Sequence, residues 1–188
     1  MSWNGYETNN LLRNEGPGDD GIPRFTDVAM ALGADDDKDA RGLAIADFDN
    51  DGDLDLAVSH DFGDSGDVAR AAPSLLRNDI GNRHGWISVE LEGTTSNRDA
   101  VGALVTLEAG DLRQVQVVSA GSSYASQHDR RLHFGLGDRE LVDRLTVRWP
   151  GGGEETFTDL PARSRVRIVE GQGIVEPTAA QVVSAGSS

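Results

Sequence analysis

An all-β fold is expected: an antiparallel, jelly-roll-like β-sandwich body with one partial propeller-like blade attached. Three observations predict it. From Trp86 onward apolar and polar residues alternate with period two, as in WISVELEG, the signature of a strand buried on one face. The 23 glycines and the short apolar runs favour many strands and turns over long helices. Between two apolar runs, GLAIA and LDLAVS, stands DFDNDGDLD, Asp47 to Asp55, with five aspartates at alternate positions around Gly52.

Along the chain, residues 1–24 read mostly as loop, with Leu11 and Leu12 as a short strand or anchor. Phe25, Val28 and Leu32 fall at helical spacing and allow one short turn. Asp35, Asp36, Asp37 and Asp39 read as a solvated acidic turn, in preference to a second, weaker cation site or an oxygen lent to the aspartate loop. Strands are expected at 42–48 and 54–59, joined by the aspartate loop, and a long glycine-punctuated loop at 60–74. Trp86, Ser88 and Glu90 alternate with Ile87, Val89 and Leu91; Gln114 and Gln116 oppose Val115 and Val117. Further strands are expected at 131–136, 145–149, 154–158 and 165–170, with turns that suit antiparallel connections. The domain reading is 1–83, 84–171 and a flexible tail at 172–188, in which Pro177 stops any strand.

Five like charges in nine residues are unfavourable unless neutralised, and a hard divalent cation neutralises them best. Ca²⁺ takes about six to eight oxygens at roughly 2.3–2.6 Å in a flexible shell, whereas Mg²⁺ keeps several waters and tolerates such crowding poorly. The expected ligands are the side chains of Asp47, Asp49, Asp51 and Asp55 and the backbone carbonyl of Asp53, with Gly52 giving the bend. An EF-hand needs a bidentate Glu at its twelfth position, here Val58, so the loop joins strands rather than helices.

The segment RGLAIADFDNDGDLDLAVS resembles a blade of the FG-GAP/VCBS repeat family, whose integrin-type propellers carry DxDxDGxxD calcium loops. NLLRN at 10–14, FTDV at 25–28 and LLRND at 75–79 fit the same repeat. HGWISVELEGTTSNRDAVGALVTL, GSSYASQ at 121–127, HFGLG at 133–137 and VRWPGG at 147–152 are similar to the ASPIC/UnbV domain. That domain follows such repeats in bacterial proteins of the cartilage acidic protein type. The resemblance implies an extracellular or cell-surface calcium-binding module for adhesion or structure. One blade is not a propeller, so the repeat-like part must pack on the sandwich or on another molecule.

A net charge of −15 speaks against nucleic acid and anionic membrane surfaces, and no apolar run is long enough to span a bilayer. Without cysteine, neither disulfides nor thiolate metal sites are available. Residues 1–20 show no signal-peptide core, which leaves a fragment, a mature form or a small natural version open. The octapeptide QVVSAGSS occurs at 116–123 and again at 181–188. It is read as a duplication without a role, a strand closing the chain's own sheet edge, or a strand donated to a second copy, giving a homo-oligomer or fibre.

No enzyme is expected. His60, His84, His128 and His133 lack zinc spacing and read as surface or turn residues. Ser122 and Ser123 lack a nucleophile elbow, and acidic pairs arise freely in so acidic a chain. Trp86, Tyr124 and Trp149 read as core aromatics. As a sugar-stacking platform they would instead make this a polysaccharide-binding or hydrolase accessory domain, with glycan as partner.

Overall fold

The computed structural model describes residues 8–61 and 72–179. The chain forms β1 (Leu12–Pro17), β2 (Pro23–Asp27), α1 (Ala29–Leu32), β3 (Ala40–Ala46), β4 (Asp55–His60), β5 (Ser74–Leu76) and β6 (Gly85–Glu92). Then follow β7 (Leu104–Ala109), β8 (Leu112–Val117), β9 (Leu132–Gly137), β10 (Leu141–Arg148), β11 (Glu154–Pro161), β12 (Ser164–Val169) and β13 (Gly173–Ala179). Two four-stranded sheets, ordered β11-β10-β7-β8 and β13-β12-β6-β9, make the sandwich. A three-stranded sheet, β3-β4-β5, and the β1-β2 hairpin make the N-terminal part.

The sandwich follows from period-two alternation. In β7, Val105, Leu107 and Ala109 are buried while Leu104, Thr106 and Glu108 lean outward. Val142, Leu145 and Val147 of β10 face Ile87 and Val89 of β6 and Phe134 and Leu136 of β9 in one continuous core. Phe134 is completely enclosed; truncation of such a ring to Ala costs about 3–5 kcal/mol. The strand pairs of the described residues are antiparallel except β6 with β12, which run parallel. Parallel neighbours need a long crossover, here the chain from β7 through β11.

Alternation misleads at two places. In β6 the Trp86 and Ser88 face is buried as well, because the aspartate loop packs against it. In β8 it is Gln114 and Gln116 that turn inward, leaving Val115 and Val117 about half exposed. The Nε2 groups of Gln114 and Gln116 donate to the carbonyls of Gly135 and His133 at 2.6 and 2.7 Å. Those bonds stitch the edge strands β8 and β9, so the inward amides are satisfied.

Three expectations are corrected. Residues 13–24, read as loop, and Phe25, read as part of a helical turn, lie in the β1-β2 hairpin; both strands are mostly polar and exposed, so no apolar alternation marks them. The stretch from 172, read as a flexible tail with Pro177 as a stop, continues as β13 and pairs with β12 over Gly173–Ala179. β13 is an edge strand, where a proline's missing N–H need not break a ladder. His60 and His133, read as surface or turn residues, end β4 and lie in β9. His60 is buried, and His133 stacks on Trp86 with centroids 5.8 Å apart. The second QVVSAGSS and residues 62–71 of the long loop lie outside the described residues.

Candidate metal centre

The aspartate loop turns between β3 and β4, neighbours in antiparallel register with Ala46 opposite Asp55. That register brings the first and last aspartates of DFDNDGDLD together. Asn50 takes a left-handed φ of 62°, which Asn tolerates, and Gly52 takes φ 104°, which favours glycine. Each of Asp47, Asp49 and Asp55 offers a carboxylate oxygen, and the three atoms lie within 4.8 Å of one another. Asp47 and Asp55 are 6% and 1% exposed, so this charge is carried inside the protein.

Asp55 is fully engaged, accepting the N–H of Phe48 at 2.9 Å on one oxygen and that of Asn78 at 2.8 Å on the other. Asp47 is not. Its Oδ2 accepts the Gly52 N–H at 3.2 Å and an Nη2 of Arg165 at 2.8 Å, while its Oδ1 is buried with no hydrogen-bond partner. A buried carboxylate oxygen left unsatisfied is costly, and a cation bound there would satisfy it. Asp49 is exposed, with the guanidinium of Arg77 at 3.9 Å. The donor set is all oxygen and suits a hard cation such as Ca²⁺.

Asp51, expected to turn inward with these three, stands outside the trio. The side-chain amide of Asn82 donates to its Oδ2 at 2.8 Å and the N–H of Asp53 to its Oδ1 at 3.2 Å. The Asp53 side chain also points to this neighbour, accepting the Asn82 N–H at 3.1 Å. Burial pushes the Asp53 carboxyl up to about 6, with the charges of Asp51 and Asp55 adding to it. Burial likewise raises Asp51, helped by Asp49, Asp47 and Asp55. The loop is thus strained by its own charge.

Residues distant in sequence hold the loop. Arg131 donates to the Asp47 carbonyl at 3.4 Å and to Asn50 Oδ1 at 3.3 Å. Arg165 on β12 reaches Asp47 and lies 5.8 Å from the Trp86 ring, which also meets Gly52. Segment 123–129 covers the free edge of β3. The hydroxyl of Ser123 accepts the Leu43 N–H at 3.1 Å, that of Ser126 donates to the Leu43 carbonyl at 2.9 Å, and the Asp129 N–H donates to the Ile45 carbonyl at 2.9 Å. Ser123 and Ser126 of GSSYASQ are therefore fasteners between the two parts. Sequence reading missed Arg165, Arg131, Asn82 and Asn78; of these Asn78 alone lay in a recognised motif, LLRND.

The acidic turn at 34–39 is tied down rather than loose. Asp36 accepts the Ser74 hydroxyl at 3.0 Å and pairs with Lys38 at 3.1 Å. Of the three aromatics weighed as a sugar platform, Trp86 and Trp149 are buried and Tyr124 is exposed. No helix among the described residues is long and apolar enough to cross a membrane.

Comparison with known proteins finds relatives over more than half of the chain. The chain is 32% identical over 136 residues to cartilage acidic protein 1 of Xenopus tropicalis, covering 70% of this chain and 19% of that protein. It is 32% identical over 114 residues to the mouse and human proteins of the same name, covering 59% of this chain and 16% of each. The chain thus spans a fifth or less of the length of these relatives. Residues 93–175, from the end of β6 into β13, match the family described as ASPIC and UnbV.

Proposed function

We propose that this chain is an extracellular, non-catalytic, calcium-binding structural or adhesion module, with an FG-GAP/VCBS-type loop docked on an ASPIC/UnbV sandwich. One observation carries the reading: three carboxylates converge within 4.8 Å, two of them buried, and one buried oxygen of Asp47 has no partner. Asp47, Asp49 and Asp55 would hold the ion, and its role is cohesion rather than chemistry. It would neutralise the loop and so fix β3 to β4 and both to the sandwich. Extracellular calcium, at about millimolar levels, suits a site of moderate affinity. The extracellular setting rests on the likeness to cartilage acidic protein 1.

The test is thermal melting with calcium and with a chelator. The expected result is a melting temperature that rises with calcium according to the binding free energy and falls on chelation. Equal melting in both, with no calcium binding by calorimetry, would remove the reading. Self-association by strand donation is a finer part of the proposal, carried by the repeated octapeptide. Because β13 uses Gly173–Ala179, the variant that isolates it lacks only residues 180–188. A smaller assembly by light scattering supports donation, and an unchanged one dismisses it.

A further inference from the structure

Arg165 stands where a metal-loop protein would be expected to avoid a positive charge. Its Nη2 lies 2.8 Å from Asp47 Oδ2, on the buried side of the aspartate trio, and its side chain is three-quarters covered. Its Nε is buried and makes no hydrogen bond, so Asp47 is the anion to which this guanidinium is committed. Arg131, the other cation on that side, is matched by Asp129, and Arg77, near the exposed Asp49, by Asp79 at 2.8 Å. Trp86 fixes Arg165 from below, its ring 5.8 Å from the guanidinium carbon. The position is also built into the sheet, since Arg165 sits on β12 opposite Ser88 of β6.

We propose that Arg165 is a resident counter-cation that sets the calcium affinity of the loop: it holds Asp47 in place without metal and, by like-charge repulsion, weakens the binding of the ion. This rests on the calcium reading above. Asp47 bridges the two charges, with Oδ2 given to Arg165 and Oδ1 left for the ion. A cation at a ligand distance from Oδ1 would stand roughly 6 Å from the guanidinium. Interaction of a single with a double positive charge at that separation, at water-like screening, is worth about a tenfold change in affinity, less in salt. The same arginine supplies the neutralisation that the metal-free loop needs. It therefore trades calcium affinity for stability without calcium, and keeps the loop docked when the ion leaves.

The sign separates this role from a merely structural one. An arginine that only positions Asp47 would, on removal, loosen the ligand and weaken binding. The experiment titrates CaCl₂ by calorimetry into the full chain as wild type, Arg165→Gln, Arg165→Lys and Asp49→Ala, with folding checked by circular dichroism. The expected results are roughly three- to tenfold tighter binding in Arg165→Gln, with the gain shrinking at high salt, and near-wild-type affinity in Arg165→Lys. In chelator, Arg165→Gln is expected to melt below wild type. Binding by Arg165→Gln that is weaker than or equal to wild type overturns the inference and leaves the calcium site standing. If Arg165→Gln does not fold, near-wild-type binding in Arg165→Lys, whose charge is kept, supports it, and tighter or weaker binding there overturns it. No saturable heat in wild type, with Asp49→Ala indistinguishable from it, removes the calcium reading and this inference together.

Discussion

Gly52 abuts the indole of Trp86 so closely that a Cβ at position 52 would stand 2.1 Å from Cε2 and 2.2 Å from Cζ2. The aspartate loop is therefore seated on the sandwich by backbone against ring, with Arg165 pairing Asp47 beside it. Trp86 is 2% exposed because the loop covers it. The glycine has two duties, a φ of 104° and this close approach, and alanine fails at both.

Gly52→Ala is thus expected to destabilise the protein by about 2–4 kcal/mol, from backbone strain and overpacking together. Denaturant unfolding checks it. In a Trp86→Val background the steric share should vanish and the conformational share of about 1 kcal/mol remain, which a double-mutant cycle resolves. Equal penalties in both backgrounds would mean that the contact does not matter.

Glu170 follows β12 and closes the turn after β6. Its Oε2 accepts the N–H groups of Thr94, Thr95 and Ser96 at 2.7–2.8 Å, and its Oε1 the hydroxyl of Ser96 at 2.9 Å. Burial alone would raise its carboxyl, but these donors outweigh it and hold the group below the usual carboxylate range. A depressed acid stabilises the fold above its unfolded value, here 4.5, and loses that contribution as pH falls through the folded value. Glu170→Gln should therefore cost about 1–3 kcal/mol at pH 7, and the difference from wild type should shrink steadily below pH 4.5. A pH-independent gap would deny the charge its role.

The aspartate loop was legible because everything that marks it is local: five acids, a glycine and two apolar flanks within one stretch. The sandwich strands were legible for the same reason, since Val105, Leu107 and Ala109 announce their face by alternation alone. What escaped was non-local. Nothing near Arg165 says that its partner is Asp47, and nothing near Asn82 says that it draws Asp51 out of the trio. Buried Ser88 and inward Gln116 defeated the pattern because the partner that covers them comes from another sheet or loop. β13 escaped because Pro177 and small residues imitate a tether, and only its edge position makes the strand tolerable.

Gln114 and Gln116 seal the gap between β8 and β9 through the carbonyls of Gly135 and His133. Replacing both by Leu leaves those carbonyls without their donors while adding apolar area. The expected outcome is a loss of about 1–2 kcal/mol, with faster amide hydrogen exchange confined to β8 and β9. Exchange that quickens uniformly across the sandwich would show that the two amides are not a local seam.

A final prediction concerns β13, which covers the outer edge of β12 from Ser164–Ala179 to Val169–Gly173 and brings Ile174 against the core. Truncation after Gly171 would strip that strand from the sheet. The backbone groups of β12 that faced it would then meet water as an open edge, and the apolar contact of Ile174 would be lost. Since β12 also carries Arg165, loosening it should reach the aspartate loop across the sandwich. The truncated chain is expected to lose about 2–4 kcal/mol of stability and to aggregate as its concentration rises, measured by denaturant unfolding and light scattering. Its calcium response should grow, because a loosened β12 draws the repelling charge of Arg165 away from Asp47. Melting and calcium response identical to the full chain would make residues 173–179 a loose appendage and detach the far edge of the sandwich from the metal centre.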